Sequence, residues 1–122
     1  MLTDHKKTFT RTVANMTALE VATEITKCIK LLEAFLKQLD DLSAAKATTA
    51  ADYDKAMADA ARRMRGNELA TVIPTLAKGE CSGYKLAMEQ AKEKKADMIT
   101  RLETIKAVLN GWQSIHKHFD VV

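Results

Sequence analysis

From Val21 to Leu42 the chain reads VATEITKCIKLLEAFLKQLDDL, and from Tyr84 to Trp112 it reads YKLAMEQAKEKKADMITRLETIKAVLNGW. In the first stretch Val21, Ile25, Cys28, Leu32, Phe35, Leu39 and Leu42 alternate spacings of four and three. In the second, Tyr84, Met88, Ala91, Lys95, Met98, Leu102, Ile105, Leu109 and Trp112 do the same, and only Lys95 breaks the apolar series. Such spacing gathers side chains on one face of a helix, whose period is close to 3.6 residues. Ile29 and Leu36 widen the first stripe; Ile99 and Val108 widen the second. A stripe wider than a two-in-seven seam suits a helix packed in a small bundle better than an isolated coiled coil. Nothing alternates with period two for long, so strands do not fit.

Helix ends follow from local chemistry. The first long helix is expected to begin near Thr3 or Thr8 and to end where the small, polar stretch Ser43 to Thr49 intervenes. Thr49 with Asp52 has the spacing of a capping box, in which a hydroxyl satisfies a free backbone N–H. The helix it would open carries Tyr53, Met57, Ala60, Ala61 and Met64 on one face, with Asp52 and Asp54 early and Arg62, Arg63 and Arg65 late, matching the helix dipole. Gly66 ends it, in the left-handed conformation that glycine adopts without penalty. Asn67 is positioned to cap a short segment through Leu69, Val72, Ile73 and Leu76, which Pro74 should kink or restart. Gly79-Glu80-Cys81-Ser82-Gly83 makes the last connection, and Ser82 is a candidate N-cap for a final helix running to about His118.

The expected fold is therefore an all-α, antiparallel helical bundle in a single domain over residues 1–122. It has two long outer helices, about 8–43 and 83–118, and two shorter inner ones, about 50–65 and 68–78. The long helices would reach ~55 Å at 1.5 Å per residue, whereas a compact chain of this size has a radius of gyration of only ~14 Å. Either the molecule is elongated or a long helix breaks, with Thr8 to Thr17 the weakest stretch.

Composition agrees with helix. The 122 residues are 47% hydrophobic and 29% charged, and one proline with four glycines is too few for a β fold full of tight turns. Nineteen alanines and twelve leucines are strong helix formers. No apolar run reaches the ~18 residues of a membrane span. Met1 to Lys7 runs into threonines and not into an apolar signal core; the basic, acid-poor stretch from His5 to Leu19 also resembles a mitochondrial transit composition. Two cysteines, Cys28 and Cys81, are too few for a disulfide scaffold, and a cytoplasmic location is the expectation. Nineteen basic against sixteen acidic residues give +3, spread evenly along the chain, unlike the clustered footprint of a nucleic-acid binder.

No set of nucleophile, base and acid assembles, so catalysis is not expected. Gly79-Glu80-Cys81-Ser82-Gly83 has the spacing of a hydrolase elbow, but that device needs a strand entering the turn. Ser82-Gly83-Tyr84-Lys85 matches S-x-x-K without its companion motifs. Thr75-Leu76-Ala77-Lys78-Gly79 resembles the H-x-x-K-G core of histidine phosphotransfer domains over five residues, with threonine where the phosphate-accepting histidine would stand. Asp4 and His5 would meet His116, His118 and Asp120 only if the helix ends pair, and H-x-H on a helix points its rings apart. No metal or cofactor is expected. Lys92, Lys94 and Lys95 are interleaved with Glu89, Glu93 and Asp97 as a salt-bridged face.

What remains is apolar surface. If two inner helices cover only part of the outer pair, then Phe9, Val13, Met16, Ile105, Leu109, Trp112, Ile115 and Phe119 have only two helices to bury them. Exposed apolar patches of several hundred Å² mark interaction sites. Occluding ~400 Å² at ~25 cal/mol per Å² favours association by roughly 10 kcal/mol before ordering costs. The expected function is a non-enzymatic protein–protein interaction module, an adaptor, chaperone, inhibitor or assembly subunit. Its partner would be another protein chain or a second copy in a homo-oligomer. Alternatives are a nucleic-acid-associated bundle and a carrier of an apolar ligand, the latter encouraged by six methionines. The competing structural account has helix one bending back over the patch.

Overall fold

The computed structural model describes residues 16–120. Its described residues are all-helical, in three helices: α1 (Ala18–Met64), α2 (Ile73–Glu80) and α3 (Ser82–Asp120). The expected starts of helix one at Thr3 or Thr8 fall outside the described residues.

Helix α1 opens with a cap. The Thr17 hydroxyl accepts the Glu20 backbone N–H at 3.2 Å and donates to Glu20 Oε1 at 3.4 Å. Thr17-Ala18-Leu19-Glu20 thus fills the capping-box spacing expected at Thr49. From there α1 continues for 47 residues without the break expected at Ser43 to Thr49, so the two helices foreseen at 8–43 and 50–65 are one. The physical reason is alanine. Ala44, Ala45, Ala47, Ala50 and Ala51 have the best intrinsic helix propensity, and small size alone does not stop a helix. Thr49 caps nothing; its hydroxyl donates back to the Ala45 carbonyl at 2.9 Å, the usual way a threonine is accommodated inside a helix. Thr23 and Thr26 do the same toward Leu19 and Ala22.

Arg62 and Arg63 stand in the last turn of α1, and Gly66 follows at φ +86°. The Asn67 N–H reaches the Met64 carbonyl at 3.1 Å, closing a turn whose third residue is that glycine. Asn67 does not cap the next helix. The segment expected at 68–78 is helical only over Ile73–Glu80, its cap position Val72 makes no side-chain bond, and Pro74 sits in the first turn. Proline belongs there because the first-turn N–H groups have no intrahelical partner. Pro74 therefore starts the helix instead of kinking it.

The chain divides into two compact units, residues 1–34 with 102–122, and residues 35–101. In the second, α1, α2 and the start of α3 build a core from small side chains. Ala60, Ala77 and Cys81 are buried, and Tyr53, Ala56, Met57 and Met64 pack against them. Arg63 of α1 holds Glu80 of α2 at 2.7 Å. Grooves in this unit join Gln38 and Leu42 to Lys94–Arg101, and Asp52–Asp59 to Tyr84, the order of two helices running in opposite directions. Ala91 and Met98 are buried in the second unit, while Lys95 between them is half-buried. A lysine suits such a position because its aliphatic stem can lie on apolar surface with the ammonium in water. In the first unit only two helical segments are described, and only Val21 and Leu102 among their residues are buried.

Candidate interaction surface

The seven stripe positions of α1 from Val21 to Leu42 are all buried or half-buried, as the periodicity predicts. In α3 the same holds from Met88 to Trp112, whereas Tyr84 at the start of the stripe is 52% exposed. The residues that widen the stripes behave differently. Ile29 (40%), Leu36 (45%), Ile99 (41%) and Val108 (47%) are all exposed. Each helix carries one covered seam with partly exposed flanks: Ile29 and Leu36, seven residues apart, share one side of the α1 seam, whereas Ile99 and Val108, nine apart, flank the α3 seam on opposite sides.

Of the eight residues singled out as partner-binding, Phe9 and Val13 lie outside the described residues. Met16, Ile105, Leu109, Trp112 and Ile115 are half-buried in the first unit, and Phe119 is exposed. Leu109 belongs to the seam that α3 shares with Leu102; Ile115 and Phe119 belong with Val108, spaced seven and eleven residues from it along the helix, and Trp112, three residues after Leu109 and four after Val108, borders both. Periodicity places Val108 in the stripe, and its position three residues after Ile105, at the stripe's edge, is the signal that adds it to the site.

A groove of about 590 Å³ runs beside this cluster, lined by Ile25, Asn110, Gln113, Ser114, His116 and Lys117. Five of its six lining side chains are polar, and they stand on α3 at positions between the apolar ones. In the second unit a different apolar surface emerges. Leu69 (74%), Val72 and Leu76 are exposed around the start of α2. With the helix starting at Ile73, only Ile73 and Ala77, one turn apart, face inward; Ala77 is buried and Ile73 half-buried.

The chemistry-bearing motifs are placed plainly. Cys81 is buried in the turn between two helices, with no strand leading to it, so an elbow nucleophile is not formed. Ser82 opens α3 and Thr75 lies within α2. Among the described residues no group of three or more His, Cys, Asp or Glu could hold a metal ion. Asp4 and His5 are outside that set. Arg62 pairs with Asp59 at 3.3 Å and Arg63 with Glu80, which raises the Arg63 pKa through its hydrogen bond and its charge. No helix among the described residues is long and apolar enough to cross a membrane. No protein-family model, curated protein or solved structure matches the chain.

Proposed function

We propose that this chain is a non-enzymatic protein–protein interaction module that presents uncovered helix shoulders to another helical chain. The observation that carries the reading is the exposure of Ile29, Leu36, Ile99 and Val108, the four residues that make the stripes wider than one neighbour requires. A stripe wider than a single seam leaves room for a further packing partner, and these four positions stay 40–47% exposed in the described chain. Trp112, Phe119 and Ile115 are the anchors within reach of such a partner, since large aromatic side chains dominate interface energetics.

The nucleic-acid alternative loses support because Arg62 and Arg63 are engaged with carboxylates of this chain. The apolar-carrier alternative loses support because the grooves are lined mainly by polar side chains, while Met57 and Met64 pack against the small-residue core. The test compares Trp112→Ala with the unaltered chain in affinity capture from the native lysate and in thermal unfolding. Weakened capture of a defined protein with a melting temperature lowered only slightly is the expected result. A large loss of melting temperature with capture unchanged makes Trp112 a core residue and removes the assignment.

A further inference from the structure

We propose that the outer edge of the last third of α3, centred on Gly111, is a self-association surface that takes the same edge of a second copy of this chain. The inference rests on the interaction-module reading and names its partner. Over this third, α3 carries two seams. Leu102, Ile105, Leu109 and Trp112 form the one that is buried or half-buried. Val108, Trp112, Ile115 and Phe119, again spaced four, three and four, form a second beside it, with Val108 47% and Phe119 37% exposed. One neighbouring helix occupies one seam; a second seam of this spacing is the pattern of a helix with another helix alongside.

Gly111 lies on that second face, three residues after Val108 and four before Ile115. Glycine inside a helix is a poor choice unless something must come close to the backbone. A Cβ at Gly111 would meet no atom within 4 Å, so the packing of the described residues gives no reason for it. An approaching helix does.

Charge selects the partner. Ala107 to His116 reads AVLNGWQSIH, ten residues without a formal charge and the longest such run in the chain. Nearly three helical turns are therefore uncharged on every side, including the sides turned away from α1. Interface centres are depleted of charge in this way. A nucleic acid or an acidic peptide would need cations within the patch, whereas Lys106 and Lys117, at either end of the uncharged run, stand on the opposite side of α3 from Val108. Two copies of a chain of net charge +3 meet most cheaply through a neutral surface, and a twofold contact sets each patch against itself. An antiparallel crossing at Gly111 brings Val108 of one copy opposite Ile115 of the other, and the reverse. A helix face of this length covers on the order of 500 Å² per copy, so the pair reaches about 1,000 Å², the lower bound of a specific interface. Association is accordingly reversible and concentration-dependent.

Light scattering of the full chain over a concentration series tests this, alongside Val108→Lys, Gly111→Leu and the off-patch control Leu19→Lys. Leucine is a better helix former than glycine and has open space at position 111, so that variant keeps its fold. The expected result is a mass that doubles with concentration, association weakened at least tenfold in Val108→Lys and Gly111→Leu, and no change in Leu19→Lys, all with unaltered circular dichroism. A mass of one chain at every concentration overturns the proposal, as does a dimer indifferent to both patch variants. The same proteins used as bait separate the two levels of inference. A monomer whose capture of a lysate protein is lost in Val108→Lys ends self-association and leaves the module reading standing. A monomer whose capture is untouched by Val108→Lys and Trp112→Ala ends both.

Discussion

Two threonines, one capping α1 and one inside it, carry the same hydroxyl to opposite ends. At Thr17 it accepts an N–H that the first helical turn cannot satisfy; at Thr49 it returns to a carbonyl already bonded within the helix. Thr17→Ala should therefore cost about 1 kcal/mol of stability, while Thr49→Ala should stay within ~0.5 kcal/mol of the unaltered chain. Urea unfolding of the two variants side by side checks both. Equal losses would mean that the chain does begin a helix near Thr49. Two glycines divide in the same way. Gly66 stands at φ +86°, where a side chain is strained, whereas Gly111 has ordinary helical backbone and open space. Gly66→Ala is expected to destabilise by about 1 kcal/mol, and Gly111→Ala to stabilise the dilute chain by up to ~1 kcal/mol, read as shifts of melting temperature in opposite directions. Gly66 was legible from sequence because its demand is local. The Thr17–Glu20 box was equally local, and its T-x-x-E spacing was the available signal.

At the scale of the element, the continuity of α1 through Ser43 to Thr49 is a matter of backbone propensity. Ala47 is exposed, so a proline there acts on the helix and not on packing. Ala47→Pro should remove ~3 kcal/mol or more together with helical dichroism. A loop at this position would tolerate the change with neither loss. Helix α2 has eight residues, too few to persist alone. It is held by Ala77 in the small-residue core and by the Arg63–Glu80 pair, both of whose side chains are largely exposed. Glu80 raises the Arg63 pKa, so the Arg63 contribution is complete at every pH below the ordinary guanidinium range and fades only as pH rises through the raised value. Mild alkali should leave α2 in place, while high salt or Glu80→Gln should speed proteolysis at Lys78. Equal cleavage in Glu80→Gln and the unaltered chain would show the pair to be idle. The packing of α2 was not legible because its start depends on Pro74, and moving that start from about 68 to Ile73 leaves Leu69 and Val72 outside the helix and exposed.

At the scale of the molecule, stability and association are linked, because a second copy binds the folded chain and not the unfolded one. The melting temperature of the unaltered chain should rise with protein concentration, and that of Val108→Lys should not; scanning calorimetry at two concentrations decides it. The sequence by itself determined that the chain is helical and on which side of each long helix the apolar seam lies, since a period of four and three is a property of neighbouring residues. Only the tertiary structure decided how much of each stripe is covered. Periodicity states the direction in which a side chain points, whereas burial depends on whether another element arrives on that side. Val21 and Ile29 both read as members of one apolar stripe; the first is fully buried and the second is 40% exposed. The difference is the number of neighbours, which no local spacing contains.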